Sequence, residues 1–308
     1  MAYTAIDKPT DYFDSVLYTG NGAANRDISG LDFQPDWVWI KARSDTTWHH
    51  LFDSTRGANK PLNSNVTNAE GSVSTFPAFN SDGFRVNAGN LNNDTQTNVA
   101  WCWQAKGGTK TTHDASSTSV GTQDSAYQAN TAAGSSIVTW AGANQDGTMA
   151  HGLGVVPHLI IIKARGGTEN WGVYHHKNTS APETDYLKLN TTDATTDSTT
   201  VTNDTAPTST LFTVGDSGIA NENDKTYVGY LFAEKQGYSK FGSYTGNGNA
   251  DGPVIYTGFK PSIVILRSSA AGDNWIMKDN KRDIDNPIVQ TLFPKQSTAE
   301  DTNSATYI

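Results

Sequence analysis

The 308-residue chain has one cysteine, few basic residues and no long apolar run, and each shortage excludes a class of protein. Cys102 alone cannot form an internal disulfide, and between Trp101 and Trp103 it is typical of a small buried side chain. Lysine and arginine number 22 against 31 acidic residues, which gives a net charge of −9. This charge disfavours binding to nucleic acid or to an anionic membrane. Without a signal peptide or transmembrane run, we expect a soluble chain made in the cytoplasm with no membrane insertion.

Helix signals and the common motifs of enzymes are also missing. No window combines apolar residues at helical spacing with a capping box. No P-loop, dinucleotide fingerprint or nucleophile-elbow serine occurs, because Gly20-Asn21-Gly22 and Gly246-Asn247-Gly248 separate predicted strands and do not open a helix. We therefore expect an all-β protein that is not an enzyme, with no catalytic residues and no cofactor.

A proline-led apolar segment is what the chain has in place of those motifs, and it occurs three times. The copies are Phe33–Arg43, Val155–Arg165 and Gly258–Arg267. In each copy the proline lies two residues before a run of four large apolar residues, and a basic residue follows the run. A tryptophan comes thirteen or fourteen residues after the proline, at Trp48, Trp171 and Trp275. Three copies with one spacing predict internal repetition.

Each copy is predicted to form a β-hairpin. A short run of β-branched and aromatic residues bounded by Gly and Pro favours a buried strand over a core helix. Proline is tolerated at the first residue of a strand, and the basic residue should mark the point where the strand leaves the core. After a polar turn, the tryptophan should open the antiparallel partner strand.

Further short strands surround the predicted hairpins and indicate tandem β-sandwich or jelly-roll-like modules. An Asp-Gly turn at Asp82-Gly83 should join two of them. The other predicted strands are Val16–Gly22, Val99–Trp103, Ile137–Gly142, Leu211–Val214, Tyr227–Ala233 and Phe241–Gly248. Thr191–Thr210 fits either an exposed strand or a loop.

Composition divides the chain into three predicted modules and a linker. The first module is 1–108, the second 134–238 and the third 239–308. Between the first two, 109–133 is rich in Gly, Thr and Ser with little apolar content, which predicts a linker. The third module has a first strand and the hairpin but lacks the later strands. We expect either that the natural protein continues beyond Ile308 or that another chain supplies the missing strands.

The residues as a set resemble a family of marine bacteriophage virion proteins, of the cyanophage and pelagiphage type. The segments that carry the resemblance are Tyr3–Phe13, Tyr18–Gly22, Phe33–Asp36, Asn80–Phe84, His151–Gly154 and Tyr238–Gly248. The resemblance covers essentially the whole chain, although family members run past the position of Ile308. It implies a tail-fibre or capsid-fibre component, generally of unassigned function and with no known catalytic residues to carry over. It also implies location in the virion, contact with other virion proteins and self-association, with a homotrimer as the usual fibre state.

Three tryptophans are the candidate ligand surface. Trp48, Trp171 and Trp275 open their strands at the loop edge, where an aromatic face could stack on a sugar of a host-surface glycan. A packing role is the alternative for all three. The tryptophans inside the apolar strands, Trp37 and Trp39 among them, are predicted to belong to the core.

Two groups of polar residues are weaker candidates for metal sites. Asp216, Asn221, Glu222 and Asp224 lie on one loop and offer clustered oxygen atoms suited to calcium, although their spacing is not that of an EF-hand. The pairs His49-His50 and His175-His176 point to opposite faces of a strand, so one strand cannot direct both imidazoles at one ion. We therefore predict no metal at the histidine pairs and a packing role for them.

Two functions from different classes remain open on the sequence. The first is a structural virion component, a tail fibre or adhesin that contacts the host surface without catalysis, with capsid decoration as its variant. The second is a polysaccharide-degrading enzyme of sandwich fold, which would need two carboxylates held across a cleft. Release of new reducing ends from host polysaccharide distinguishes the two.

Overall fold

A computed structural model of the chain describes residue 4, residues 6–249 and residues 251–303. The fold is all-β, with 32% of residues in strands and 5% in helices. The strands are β1 (Phe13–Thr19), β2 (Arg26–Ser29), β3 (Trp37–Ala42), β4 (His50–Asp53), β5 (Ala78–Asn80), β6 (Gly83–Val86), β7 (Thr97–Trp103), β8 (Thr111–His113), β9 (Ser125–Asn130), β10 (Ser135–Ala141), β11 (Gly147–Ala150), β12 (Leu159–Ala164), β13 (Gly172–His175), β14 (Asp185–Lys188), β15 (Thr196–Asp197), β16 (Leu211–Val214), β17 (Thr226–Phe232), β18 (Ile263–Leu266) and β19 (Ile276–Asp279). The described α-helices are one turn each, α1 (Ala115–Thr118) and α2 (Thr199–Thr202), and short 3₁₀ helices span Pro9–Asp11 and Pro182–Thr184.

None of the helices in the described ranges is long and apolar enough to span a membrane. Residues 1–3 and 304–308, the outer ends of the first and third predicted modules, lie outside the described residues.

Two sandwiches make up most of the molecule. In the first, the sheet β1-β7-β3-β4 faces the smaller sheet β2-β6-β5 across a core that includes Val38, Phe52 and Phe84. In the second, the sheet β15-β14-β13-β12-β17-β10-β9-β8 faces the pair β11-β16 across a core that includes Trp140 and Phe212. Alternate residues of each large sheet point away from these cores, so the outer face of each sheet is free to pack elsewhere.

A third core joins the outer faces of both large sheets to the hairpin β18-β19. Trp37 of the first sandwich stacks on Tyr230 of the second with ring centroids 4.4 Å apart. The buried members of this central core are Phe13, Trp37, Trp39, Leu51, Leu62, Val99, Trp101, Ala105, Ile137, Ile161, Trp171, Val173, Leu187, Leu189, Val228, Tyr230, Trp275, Met277 and Leu292. The chain therefore folds around one shared centre, to which all three proline-led hairpins contribute.

The three proline-led hairpins share one register. The pairs at their start are Trp37 with Asp53, Leu159 with His175, and Ile263 with Asp279. Each pair begins two residues after the proline and spans the same length of chain, which confirms the predicted hairpins. β3 and β12 each also pair with a further antiparallel strand, β7 and β17 respectively.

The first sheet differs from the prediction at the start of its partner strand. β4 begins at His50, and Trp48 lies before it. His49, which is buried, occupies the place that Trp171 and Trp275 hold in the other two hairpins, fourteen residues after the proline. The tryptophan that follows Pro35 at thirteen residues is therefore outside the common pattern.

The predicted linker 109–133 is part of the second sheet. β9 pairs with β10 over five residues, and β8 pairs with β9 at the edge of the sheet. Gln128, fully buried, donates to the hydroxyls of Ser54 and Thr55 in the first half of the chain. The linker prediction was wrong because backbone pairing at a sheet edge needs no apolar side chains, and threonine and tyrosine suit extended backbone.

The predicted strand Phe241–Gly248 has no regular secondary structure. Its counterparts β1 and β10 pair with β7 and β17, and no strand of that kind lies beside β18 in the described part of the chain. The segment therefore has no partner to pair with. By contrast, the predicted Asp82-Gly83 turn joins β5 to β6, and a side chain at Gly83 would clash with the Ile28 carbonyl oxygen 1.9 Å from its Cβ position.

The basic residues that close the first two apolar runs lie inside the protein. Lys41 and Lys163 are fully buried, where we expected their charges to reach water. Lys41 Nζ donates to the carbonyls of Ala42 and Asp45, and Lys163 Nζ donates to those of Ala164 and Thr67. Burial lowers the pKa of each amine to about 8. These lysines anchor the hairpin loops from within.

Candidate functional site

A buried arginine network lies between the first and second sandwiches. Asp53 and Arg56, both with fully buried side chains, form an ion pair, and Arg56 Nη1 lies 2.9 Å from Glu70 Oε2. Arg165 reaches the same carboxylate from the second sandwich with Nε and Nη2 at 2.8 and 2.9 Å. The Tyr230 hydroxyl donates to Asp53 Oδ2 at 2.7 Å. We call these five residues the first arginine network.

Burial and hydrogen bonding shift the pKa values of Glu70 and Tyr230 in this network. Burial opposes ionisation of Glu70, but hydrogen bonds from Arg165 and Arg56 outweigh it and bring the pKa of the carboxyl below its ordinary value. Burial raises the pKa of the Tyr230 phenol well above its ordinary value, so the hydroxyl keeps its proton and acts as a donor. The network suits joining two sheets, because the Glu70 carboxylate is paired with an arginine from each sandwich.

A second arginine network repeats this arrangement between the first sandwich and the third hairpin. Arg282 pairs with Asp279, and both side chains are fully buried. Glu300 lies 2.7 Å from Arg282 Nη1 and 2.8 Å from Arg43 Nη2. Trp101 Nε1 donates to Asp279 Oδ2 at 2.9 Å, in the role that the Tyr230 hydroxyl has in the first network. Two interfaces of the molecule thus share one chemistry.

Three backbone hydrogen bonds link the three hairpins to one another in a closed cycle. In each case the residue eight positions after a hairpin proline accepts from the segment that follows a different hairpin. The bonds are Glu70 N to Arg165 O at 2.8 Å, Glu300 N to Arg43 O at 2.7 Å, and Thr195 N to Ser269 O at 2.9 Å. The second hairpin therefore contacts the first, the first contacts the third, and the third contacts the second.

The structure does not bring the three candidate tryptophans together as a ligand surface. Trp171 is fully buried and donates from Nε1 to the Asn63 carbonyl at 3.0 Å. Trp275 is 7% exposed and donates to the Lys188 carbonyl at 2.9 Å. Both belong to the central core. Their indole N–H groups also hydrogen-bond to the segment that follows a neighbouring hairpin, and these bonds add to the contacts of the cycle. Trp48 alone remains on the surface, with 44% of its area exposed.

The candidate calcium loop is arranged around an internal amide. Asn221 is fully buried and donates from Nδ2 to Gln123 Oε1 and to the Gln145 carbonyl. Glu222 and Glu169 both pair with Lys225. Asp216 and Asp224 are exposed. The described residues contain no group of three or more His, Cys, Asp or Glu side chains arranged to hold a metal.

Replacing Asn221 with alanine is expected to lower the free energy of unfolding by about 1–3 kcal/mol, because Gln123 and the Gln145 carbonyl lose their buried partner. Millimolar calcium or a chelator should leave the melting temperature of both the parent and the variant unchanged. Thermal melts with and without calcium measure both effects, and Asp216→Ala is the matched exposed control. A calcium-dependent rise in melting temperature that Asp216→Ala abolishes would contradict this prediction and support a calcium site on the loop.

Burial lowers the pKa of three of the four paired histidines. His49 Nδ1 accepts from Trp39 Nε1 at 2.8 Å, and burial holds the pKa of His49 well below its ordinary value. Burial and the Lys41 charge lower the pKa of His50 to about 4. Burial and the adjacent His176 and His158 lower the pKa of His175 to about 4. These rings are neutral near pH 7, in keeping with the predicted packing role.

Stability should therefore fall as the pH drops from about 6.5 to 4, by up to roughly 3 kcal/mol for each of His50 and His175, because one pKa unit corresponds to about 1.4 kcal/mol. The unfolded chain binds protons on these rings below pH 6.5, whereas the folded chain resists protonation until about pH 4. Urea titrations at intervals of half a pH unit measure the slope. His50→Gln should flatten it, and an unchanged slope in both His50→Gln and His175→Gln would contradict the assignment.

Two cavities flank the region where the sandwiches meet. One is a void of about 10 Å³ lined by Trp37, Ala105, Ile137 and Tyr230 among others, which is enough for one water molecule at most. The other is a shallow depression beside Tyr12, open to solvent. Small-molecule sites typically enclose about 300–1,000 Å³. The first cavity is far smaller, and the second, at about 430 Å³, is an open depression and does not enclose its volume.

Comparison with known proteins places the chain in a family. A family model described as a domain of unknown function (DUF7483) matches residues 8–308. The chain belongs to the DUF7483 family. The comparisons with curated proteins and with solved structures gave no significant match. Since the family description names no function, the resemblance to bacteriophage virion proteins stays a prediction for this DUF7483 chain.

The arginine networks are the feature that sequence reasoning missed in this DUF7483 protein. A signal for them exists, because Asp53 and Asp279 each lie eighteen residues after their proline and each is followed three residues later by Arg56 or Arg282. The second hairpin has His175 at that place and no such arginine. The two copies with an Asp-x-x-Arg pair are those followed by a glutamate, Glu70 or Glu300, that also pairs with an arginine of a neighbouring hairpin.

Proposed function

We propose that this DUF7483 protein is a non-catalytic structural component of a bacteriophage virion, of the tail-fibre or adhesin kind, that contacts the host surface. The observation that carries the proposal is the closed cycle of hairpins, whose charged groups are used to join one part of the chain to another. Such a body resists deformation and presents its loops in fixed positions. The phage setting is supported by the sequence resemblance.

Trp48 is the contact residue that this proposal favours. Its loop is held on one side by Lys41 Nζ, which donates to the Asp45 carbonyl at 3.0 Å. On the other side it is held by buried His49, which accepts from Trp39. An exposed indole on an anchored loop offers a rigid stacking face at low entropic cost, which suits recognition of a sugar ring.

Immunogold labelling of intact particles with antibodies against the purified chain tests the setting. Label on tail fibres supports the proposal, and label on the head favours capsid decoration instead. Absence of the chain from purified particles would overturn a virion role. Mass measurement of the purified protein tests the expected homotrimer separately.

Binding to host-surface polysaccharide tests the contact role. We expect Trp48→Ala to weaken binding by about tenfold. Stacking of a nucleic-acid base on one aromatic ring contributes roughly 1–3 kcal/mol, and we take the lower end of that range for a sugar ring. Tyr256→Ala is the matched control, because Tyr256 is an exposed aromatic residue on another segment. Equal binding by both variants would remove Trp48 from the contact. Release of reducing ends during the assay would favour the polysaccharide-degrading alternative.

A further inference from the structure

The three contacts that close the cycle differ in charge. We name them joint A, between the second hairpin and the segment after the first, joint B, between the first hairpin and the segment after the third, and joint C, between the third hairpin and the segment after the second. The two arginine networks lie at joints A and B, whereas no ion pair crosses joint C among the described residues. We propose that the cycle opens at joint C while joints A and B stay closed. This proposal does not depend on the function proposed above.

Four equivalent positions decide the charge of each joint. They are the residues eighteen and twenty-one places after one hairpin proline, the residue eight places after another, and the residue whose backbone N–H donates to the carbonyl of the latter. At joint A these are Asp53, Arg56, Arg165 and Glu70, and at joint B they are Asp279, Arg282, Arg43 and Glu300. At joint C they are His175, Asn178, Ser269 and Thr195. Since the His175 ring is neutral near pH 7, joint C has none of the four charges of the other joints.

The side chains that cross the joints differ accordingly. Arg165 donates to both oxygens of Glu70 at joint A, with N–O distances of 2.8 and 2.9 Å, and Arg43 donates to Glu300 from Nε and Nη2 at joint B. Such charge-assisted pairs are about twice as strong as hydrogen bonds between neutral groups. At joint C the Thr195 hydroxyl donates to Asn178 Oδ1 at 2.9 Å, on its own side of the joint. The strong side-chain bonds across the joint are therefore found at joints A and B.

Joint C is held by hydrogen bonds to main-chain carbonyls. The bonds are Thr195 N to Ser269 O, Gly272 N to Thr192 O and Trp275 Nε1 to Lys188 O, each at 2.9 Å, and Arg267 Nη2 to Asp193 O. Water can replace a partner of each bond when the joint opens, so the net contribution of each bond is small. Opening joint A or B would in addition separate a mostly buried glutamate from its arginine.

Opening at joint C changes the cycle into an open row of three hairpins. The first hairpin keeps the second through joint A and the third through joint B, so the first sandwich and its exposed Trp48 keep their place. The third hairpin moves away from the second sandwich, and Trp275 separates from the Lys188 carbonyl. Local openings of this kind occur well below the free energy of global unfolding and are seen by hydrogen exchange.

Hydrogen exchange of the unaltered protein at pH 7, followed by nuclear magnetic resonance, tests the proposal. The amides of Glu70, Glu300 and Thr195 make the equivalent bonds of joints A, B and C, so their protection factors can be compared directly. We expect protection at Thr195 to be lower by about tenfold or more than at the other two. The indole N–H of Trp275 should likewise exchange faster than that of Trp171, which makes the equivalent bond at joint A.

A variant that rebuilds the missing ion pair tests the cause. Ser269→Arg together with Thr195→Glu should raise the protection of the amide at position 195 by about tenfold or more. Thr195→Glu alone is the matched control and should leave it low, because the new carboxylate has no arginine.

Two results would overturn the proposal. One is protection at Thr195 in the unaltered protein that equals or exceeds protection at Glu70 and Glu300, a measurement that depends on no variant. The other is a double variant in which the amide at position 195 exchanges as fast as in Thr195→Glu alone, since charge would then not be what keeps a joint closed.

Discussion

Replacing Arg56 with methionine is expected to lower the free energy of unfolding by about 3–5 kcal/mol, because it leaves buried carboxylates without their cation. Asp53 is fully buried and Glu70 nearly so, and both depend on this guanidinium. Arg165 would still reach Glu70, so Asp53 bears most of the cost. Urea unfolding followed by tryptophan fluorescence measures the change.

Arg85→Met is the matched control for this prediction. Arg85 lies 2.7 Å from Asp27 Oδ1, but both side chains are more than a third exposed, so the loss should be under about 1 kcal/mol. Arg282→Met tests the second network and should behave like Arg56→Met. If all three variants were equally stable, the networks would contribute nothing to holding the hairpins together.

The second large effect concerns the tryptophans. Trp171→Ala should destabilise the fold by about 3–5 kcal/mol, as expected for removal of a large aromatic residue from a packed core. Trp171 is fully buried, and its loss also removes the indole hydrogen bond to the Asn63 carbonyl. Thermal or urea unfolding gives the change, and near-ultraviolet circular dichroism reports on the packing of the central core.

Trp48→Ala is the counterpart, since the same substitution at an exposed site should cost less than about 1 kcal/mol. Trp48 has 44% of its surface exposed and no ring contact with the core. A large loss of stability at Trp48 with a small loss at Trp171 would reverse the assignment of core and surface. The two variants together distinguish a tryptophan that packs in the core from one that is exposed for contact with a ligand.

Particular segments show how much of the fold could be predicted from the sequence. The spacing from Pro35 to Trp37 and from Pro261 to Ile263 located the strands of two hairpins, and the Asp82-Gly83 turn was found where it was predicted. The repetition of whole modules stays a prediction. The sequence predictions failed mainly in polar segments. The stretch 109–133 was assigned to a linker because apolar content is a poor guide to a solvated edge strand.

The candidate site was harder to predict than the strands. Trp171 and Trp275 lie at a strand opening, which suggests a surface, but two hairpins pack over them and bury both. The acidic residues of the calcium candidate are adjacent in sequence, yet Asn221 turns inward and Glu222 pairs with Lys225. Proximity along the chain does not fix which way side chains face.

The sequence by itself determined the secondary structure class and the hairpins, because alternation, β-branching and turn residues act between neighbours in the chain. Only the tertiary structure decided that Arg165 meets Glu70 and that Trp101 meets Asp279, since these partners come from different hairpins. Their pairing depends on how the sheets pack around the central core. A local pattern does not encode that packing, and for this reason the closed cycle became visible only in three dimensions.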